Sequence, residues 1–140
     1  VDIFSSLGVK SVFEDSKLFL TKNKLNVFPK TINLIENPDL YQALKCTLFA
    51  KNINTEFSGT QTLSNKETDR INAVRKELKK LNSNKTIQTY NDHRMAMSFA
   101  PLSLKFNELH IKNPEVVSKS YPNFWEDLRK GGFIISALSD

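Results

Sequence analysis

Apolar residues recur every three or four positions in several stretches of this chain, which is the period of a helix with one buried face. In the most regular stretch these residues are Ile71, Val74, Leu78 and Leu81. Two other sets share the period: Leu40, Leu44 and Leu48, and later Met95, Phe99, Leu102 and Phe106. The pattern therefore predicts three helices in the middle of the chain, each with one buried side.

Capping residues and a proline place the starts of these helices. Pro38 suits the first turn of a helix, and Asn37 before it is expected to act as the cap. This helix is expected to end near Ala50. Asn91 is the expected cap of the helix that carries Met95.

The two ends of the chain carry further local signals. An amphipathic helix is expected to stop at Gly8, and residues 11–13 and 18–20 are expected to form a β-hairpin. A last helix is expected to open at residues 119–122 and to close at Gly131. Short apolar stretches predict the remaining strands, at residues 31–34, 55–57, 85–90, 109–111 and 133–135.

The order helix, strand, polar loop, helix occurs twice. Asp39 precedes Lys66 by 66 − 39 = 27 residues, and Asp92 precedes Lys119 by 119 − 92 = 27 residues. The single domain 1–140 is thus expected to be α/β, with repeat units at about 31–81 and 85–135. Two such units side by side would bring their helix N-termini to one edge.

Residues 65–70 gather ionisable groups where a polar loop becomes a helix. An anionic ligand at a helix N-terminus gains hydrogen bonds from unpaired N–H groups and a favourable dipole. A capping arrangement would explain the same residues, with Asn65 or Thr68 as the cap and Glu67 and Asp69 complementing the dipole.

The repeat extends this cluster to a larger candidate set. The cations are Lys66, Arg70, Arg94 and Lys119, and the acids are Asp39, Glu67, Asp69 and Asp92. Guanidinium groups bind carboxylates and phosphates through paired hydrogen bonds, and a carboxylate among cations can move protons. The set suggests chemistry on a doubly anionic small molecule. Asp92 and His93 are expected to support it, although a histidine here is also a common core or capping residue.

Composition narrows the class of protein. The chain has 140 residues and a net charge of +5, but basic and acidic residues alternate without a basic run, so we expect no nucleic-acid partner. We expect no membrane span and a cytoplasmic location. Cys46 is expected to be a buried structural thiol. The sequence has neither a Cys/His cluster nor a glycine-rich phosphate loop, so we expect no metal and no nucleotide cofactor.

Three ordered motifs make a family resemblance specific. They are residues 66–70 (KETDR), 92–97 (DHRMAM) and 119–125 (KSYPNFW), with 37–39 (NPD) before them. Together they closely resemble the C-terminal part of 5-enolpyruvylshikimate-3-phosphate (EPSP) synthase. The resemblance implies a shikimate-pathway transferase that moves the enolpyruvyl group of phosphoenolpyruvate to shikimate 3-phosphate without a metal, and that glyphosate competes for the phosphoenolpyruvate position. It also implies repeated βαβαββ units, here a partial domain, with the active site between two domains.

The resemblance also implies a role for each matching residue. Asp39 would take the proton from the attacking hydroxyl of shikimate 3-phosphate, and Lys66 would contact that substrate. Glu67 would transfer a proton at the methylene carbon of phosphoenolpyruvate. Arg70 and Arg94 would hold the phosphoenolpyruvate carboxylate, and Lys119 would lie near its phosphate and the reacting carbon.

Two departures from the family pattern limit what we expect of this chain. About two-thirds of the family's length is missing, including the N-terminal domain that would be its partner, so the 140 residues are expected to be inactive alone and to bind phosphoenolpyruvate weakly. The segment from Leu81 to Thr86 is too short for the usual β-hairpin. Three alternatives stay open: a UDP-N-acetylglucosamine enolpyruvyl transferase relative, which relies on a reactive cysteine, a non-catalytic module that binds anions or nucleic acid, and a folding unit with no function of its own.

Overall fold

The computed structural model describes residues 2–24 and 28–137 of the chain. In these ranges six short strands pair into three two-stranded sheets, and helices pack around them. The strands are β1 (Val9–Glu14), β2 (Lys17–Lys22), β3 (Thr31–Asn33), β4 (Glu56–Ser58), β5 (Thr86–Ile87) and β6 (His110–Ile111). The α-helices are α1 (Asp2–Ser6), α2 (Tyr41–Ala50), α3 (Arg70–Lys80), α4 (His93–Phe99), α5 (Ser103–Phe106) and α6 (Phe124–Lys130). The 3₁₀ helices are Pro38–Leu40, Gln61–Asn65, Ala100–Leu102 and Pro114–Lys119.

The predicted hairpin is confirmed and is longer than expected. Strands β1 and β2 pair antiparallel from Val9 with Lys22 to Glu14 with Lys17. The two residues between them, Asp15 and Ser16, have φ angles of 47° and 60°. Positive φ at both central residues is the turn geometry that matches the twist of two paired strands.

The other two sheets are both parallel pairs. Strand β3 pairs with β4, and β5 pairs with β6. A parallel pair needs a crossover connection, and the first crossover contains α2 and the second contains α4 and α5. A 3₁₀ helix and then an α-helix follow the second strand of each pair. The structure therefore confirms a mixed α/β fold.

The extra strands of a βαβαββ unit are not found in the described part of either half. Such a unit ends in two strands after its second helix. The described residues 81–85 after α3 and 131–137 after α6 contain no strand, so the strand predicted at residues 133–135 is wrong. The repeated βαβαββ units therefore stay a prediction.

Helices α2, α3 and α4 form the centre of the core, as the apolar period predicts. Most of the predicted residues are buried there: Leu44, Leu48, Val74, Leu78, Leu81, Met95, Phe99 and Leu102. The other predicted residues, Leu40, Ile71 and Phe106, are only partly buried and pack against this core. A smaller cluster joins Ala96 of α4 to Val117 and Phe124. In the described part of the chain no helix has the length and apolar character needed to span a membrane.

Some predicted boundaries are wrong. Helix α3 is capped by Asp69 rather than by Asn65 or Thr68, and α4 is capped by Asp92 rather than by Asn91. Asn37 precedes the 3₁₀ helix Pro38–Leu40, but its side chain makes no capping hydrogen bond. A cap must adjoin the first helical residue in an extended conformation, which Asp69 and Asp92 have.

Two further differences affect the candidate site. The strand predicted at 85–90 covers only Thr86 and Ile87, since Tyr90 and Asn91 have φ angles of 53° and 59° and turn the chain. Lys119 does not open the last helix. It ends the 3₁₀ helix Pro114–Lys119, and α6 begins five residues later at Phe124.

Candidate functional site

The candidate site is organised around a buried arginine, Arg70, the first residue of α3. Its side chain is only 2% exposed. Each part of the guanidinium group donates to a different carboxylate: Nη1 to Asp39 at 2.7 Å, Nη2 to Glu67 at 2.6 Å and Nε to Asp92 at 2.8 Å. One side chain therefore joins three segments that are far apart in the sequence.

Asp39 binds further cations at the surface. Arg94 Nη2 donates to Asp39 Oδ2 at 3.0 Å, and Lys66 Nζ lies 3.9 Å from Asp39 Oδ1. These three side chains are between 34% and 42% exposed. Asp39 therefore lies between the buried Arg70 and two cations that solvent can reach.

Asp92 is fully buried, and its two oxygens have separate partners. Oδ1 accepts the backbone N–H of Arg94 at 2.8 Å, which makes it the cap of α4. Oδ2 accepts from Arg70, and also from Gln42 Nε2 at 3.4 Å. The carboxylate thus fixes the start of α4 against α2 and α3.

The remaining candidates lie around the same cluster. His93 Nδ1 is 4.0 Å from Glu67 Oε1, too far for a hydrogen bond. Lys119 Nζ contacts Asn91 twice, donating to the backbone oxygen at 2.7 Å and to Oδ1 at 3.0 Å. Lys119 therefore lies beside the residue that precedes Asp92, as the repeat suggests, although it does not open a helix.

The structure brings the predicted residues together through these contacts. Asp39, Lys66, Glu67, Arg70, Asp92 and Arg94 form one connected charged cluster, with His93 and Lys119 next to it. Asp69 caps α3 and binds Asn72.

The electrostatics keep Arg70 charged. Burial by itself would lower the pKa of the Arg70 guanidinium, but the hydrogen bond with Asp92 and the charges of Asp92, Glu67 and Asp39 outweigh it and raise the pKa overall. A buried charge is tolerated only when it is paired and hydrogen-bonded in this way. Arg70 is therefore a fixed cation that holds three carboxylates at defined positions.

Sequence reasoning missed two residues of this cluster. Gln42 lies three residues after Asp39, and that helical spacing is the signal that could have placed both on one side. Asn91 was predicted as a cap, but its left-handed backbone instead presents its two oxygens to Lys119. Only the tertiary contact with the 3₁₀ helix Pro114–Lys119 gives Asn91 that role.

Buried polar atoms without a partner also concentrate here. In the part of the chain that the structure describes, these side-chain atoms are Gln42 Oε1, Thr89 Oγ1, His93 Nδ1 and Arg94 Nε. Leaving such a group unpaired costs about 1–3 kcal/mol, so each is a place where a bound polar group would be stabilising. Arg94 is both partly exposed and incompletely paired, which suits it to contact an anion.

The charged cluster lies apart from the cleft that the structure shows between α2, β4 and α3. Within the described ranges, no three His, Cys, Asp or Glu side chains are grouped so that they could hold a metal ion. A cleft of about 790 Å³ lies elsewhere, between α2, β4 and α3, and is lined by residues such as Tyr41, Phe57 and Arg75. The charged cluster instead faces solvent through the partly exposed Asp39, Lys66, Glu67 and Arg94.

Cys46 does not resemble a catalytic cysteine. It is 1% exposed in the middle of α2, and burial raises the pKa of its thiol. A reactive cysteine is accessible and has a lowered pKa. The alternative that depends on a reactive cysteine therefore has no support from this residue.

The fold and the cluster define a class of protein. The chain is a mixed α/β chain in which Lys66, Arg70 and Arg94 meet three carboxylates, and Lys119 lies beside them on Asn91. Guanidinium and ammonium groups gathered in this way can bind an anion. Residues 82–128 match the EPSP synthase (3-phosphoshikimate 1-carboxyvinyltransferase) family. With the relatives below, this shows that the chain belongs to the EPSP synthase family.

The relatives agree on the family. The chain is 37% identical to the 3-phosphoshikimate 1-carboxyvinyltransferase of Bacteroides fragilis, over 94% of the chain and 37% of the relative. It is 31% identical to the protein of the same name from Buchnera aphidicola (subsp. Acyrthosiphon pisum), over 90% of the chain and 33% of the relative. It is 29% identical to the protein of that name from Clostridium novyi, over 99% of the chain and 36% of the relative. The chain thus spans about a third of the length of these relatives.

The alignment with the Bacteroides relative is longer than this chain. It runs over 153 positions, which is more than the 140 residues of this chain. The relative therefore contains additional residues within the matched region.

Proposed function

We propose that this chain supplies one side of the active site of a 3-phosphoshikimate 1-carboxyvinyltransferase. The enzyme would transfer the enolpyruvyl group of phosphoenolpyruvate to a hydroxyl of shikimate 3-phosphate and release phosphate. The observation that carries the proposal is the convergence on Arg70 of Asp39, Glu67 and Asp92, which belong to the motifs at 37–39, 66–70 and 92–97. The proposed partner is the rest of such an enzyme, which would form the opposite side of the cleft.

The proposed roles are those that the family resemblance implies for the matching residues. Arg94, Lys66 and Lys119 are the cations that would receive the anionic groups of the two substrates, with Arg94 on the phosphoenolpyruvate carboxylate. Asp39 would accept the proton of the attacking hydroxyl, and Glu67 would exchange a proton with the methylene carbon. An addition–elimination reaction needs fixed cations that stabilise the anionic groups, and it needs carboxylates that accept and donate protons.

Arg70 needs a rearrangement to contact substrate directly. Its guanidinium group donates hydrogen bonds to three carboxylates of the chain itself. Glu67 and Asp39 are 38% and 42% exposed, so either carboxylate can rotate toward solvent and release an N–H group for the phosphoenolpyruvate carboxylate. Asp92 is fully buried and would keep the guanidinium in place during this exchange.

The family fold is part of the same proposal. Each half of the chain has the order strand, helix, strand, helix, which is the first part of a βαβαββ unit. We assign these halves to two units of that kind, at about residues 31–81 and 85–135, within one partial domain.

A chimera tests the function most directly. The 140 residues would replace the matched region of the Bacteroides fragilis relative, and phosphate release would be measured with both substrates. We expect the chimera to turn over and the isolated chain to remain inactive. Glu67→Gln in the chimera should lower kcat by a factor on the order of 10² to 10⁴, the contribution of one acid–base group.

Glu108→Gln is the matched control for that variant. Glu108 also lies beside a histidine, His110, at 3.1 Å, but outside the cluster. The Glu108→Gln variant should leave the turnover of the chimera unchanged. Equal losses in the two variants, or family-like turnover by the isolated chain, would contradict the proposal.

A further inference from the structure

A second buried charge lies in α3, two turns after Arg70. Glu77 is fully buried and its carboxylate binds the segment before Asp92. Oε2 accepts the backbone N–H of Gln88 at 3.0 Å, and Oε1 accepts the hydroxyl of Tyr90 at 2.6 Å. Lys80 Nζ, one turn further along α3, pairs with Oε2 at 2.5 Å.

Helix α3 therefore holds residues 88–92 at two points. Arg70 binds Asp92, and Glu77 binds Gln88 and Tyr90. Residues seven apart lie on the same face of a helix and about 10 Å apart along its axis. Two attachments at this separation fix both the position and the direction of the segment.

The segment between these attachments contains an unusual turn. Tyr90 and Asn91 are consecutive non-glycine residues in the left-handed region, with φ angles of 53° and 59°. The N–H of Asp92 donates to Thr89 O at 2.9 Å and closes the turn. A tyrosine in this region is strained, and such a conformation persists only when its surroundings hold it.

This turn places two parts of the candidate site. Asn91 provides both oxygen atoms that bind Lys119, and Asp92 provides the carboxylate that binds Arg70. If the turn relaxed toward an ordinary strand, both residues would change direction. Two contacts restrain its central residues: the Tyr90 hydroxyl donates to Glu77, and Lys119 donates to Asn91.

We propose that Glu77 is a positioning residue of the candidate site, which acts through Tyr90 and Gln88 to hold the left-handed turn at Tyr90 and Asn91. Its importance for catalysis rests on the proposed function, but its action on the turn does not. Glu77 touches none of the proposed substrate-binding groups directly. It determines where Asn91 and Asp92 present their oxygen atoms to Lys119 and Arg70.

Hydrogen exchange measured by NMR on the 140-residue chain tests this action. The N–H groups of Asp92 and Arg94 report on the turn and on the cap of α4. The N–H of Leu34, which donates to Ser58 O in another part of the fold, is the reference for global unfolding. The ratio between these rates separates local opening of the turn from a general loss of stability.

Four variants separate the contributions of the individual contacts of Glu77 to the stability of the turn. Tyr90→Phe removes only the hydroxyl, and Glu77→Gln removes the charge and one acceptor. Lys80→Gln removes the ion pair and leaves the contacts to residues 88 and 90 in place. Glu126→Gln is the matched control, since Glu126 pairs with Arg129 at the same i,i+3 spacing on the exposed side of α6.

In Tyr90→Phe and Glu77→Gln we expect Asp92 and Arg94 to exchange on the order of tenfold faster relative to Leu34, the effect of losing one hydrogen bond to a charged group. Lys80→Gln and Glu126→Gln should leave the ratio unchanged. The proposal is overturned if the exchange of all three N–H groups accelerates equally, if none changes, or if Lys80→Gln matches Tyr90→Phe.

The exchange measurement and the chimera can fail independently. An inactive chimera with the expected exchange pattern would remove the proposed function and keep Glu77 as the residue that holds the turn. An active chimera whose Glu67→Gln variant loses turnover, together with a uniform exchange pattern, would keep the function and remove the role of Glu77.

Discussion

A buried guanidinium is stable only when its N–H groups meet acceptors, because removing a charge from water costs several kcal/mol. Arg70 meets this condition with carboxylates from three segments. The sequence predicted that Asp39, Glu67, Asp92 and Arg70 would converge, because their motifs start equivalent parts of a repeat. It did not predict that the arginine would be the buried member, since burial depends on which helices cover it.

The three hydrogen bonds of the Arg70 guanidinium predict that Arg70→Lys will strongly lower the stability of the fold. A lysine keeps the charge but loses the planar group that reaches three carboxylates, so the free energy of unfolding should fall by about 3 kcal/mol. Urea unfolding followed by circular dichroism measures this change. Arg129→Lys is the control, because Arg129 and Glu126 form an exposed i,i+3 pair and the variant should change stability by less than about 0.5 kcal/mol. Equal losses of unfolding free energy in the two variants would show that the hydrogen bonds of Arg70 do not stabilise the cluster.

At the scale of elements, the two lysines of the candidate site, Lys66 and Lys119, are positioned by 3₁₀ helices rather than by α-helices. Lys66 directly follows the 3₁₀ helix Gln61–Asn65, and Lys119 ends the 3₁₀ helix Pro114–Lys119. Apolar periodicity predicts long amphipathic helices well, but a 3₁₀ segment of five or six residues is too short to show a period. The loop before each second helix was therefore predicted, but its structure was not.

The connection from β4 to the first of these 3₁₀ helices depends on Gly59. Its φ is +69°, and a Cβ atom there would lie 2.3 Å from Ile35 N and 2.5 Å from Asn33 Oδ1. Gly59→Ala should therefore lower the free energy of unfolding by about 2–4 kcal/mol, through backbone strain and overlap together.

Gly132→Ala is the matched control for Gly59→Ala. Gly132 has a φ of +95°, but nothing lies within 4 Å of its Cβ position. Only the strain of a left-handed residue, about 1–2 kcal/mol, should appear. Thermal unfolding of the two variants measures the difference. Similar losses of stability would mean that the close approach of Gly59 to Asn33 and Ile35 does not exclude a Cβ atom.

At the scale of the whole molecule, the hairpin β1–β2 is unusual because both of its faces are apolar and exposed. Phe13 and Leu18 form one cross-strand pair and Val12 and Phe19 the next, so the two pairs point to opposite faces. All four side chains are exposed, and Phe13 is 71% exposed. Exposed apolar surface on a two-stranded hairpin favours association.

We therefore expect the chain to self-associate, and Phe13→Lys to reduce this association at least severalfold by placing a charge on one face. Sedimentation velocity over a range of protein concentrations measures it. Ile134→Lys is the control, because Ile134 is fully exposed but belongs to no strand. A monomeric starting protein, or an equal effect of the control, would contradict the prediction.

The sequence alone predicted most of the helices, the hairpin β1–β2 and the charged residues that meet around Arg70. Periods of two and 3.6 residues identify strands and helices because burial of one face follows the geometry of each element. Ordered motifs identify the family and the candidate residues. The buried position of Arg70, the left-handed turn at Tyr90 and Asn91, and the attachment of that turn to Glu77 were decided only by the tertiary structure. Each depends on hydrogen bonds between residues distant in sequence or on a strained backbone held by packing, and no local pattern records these contacts.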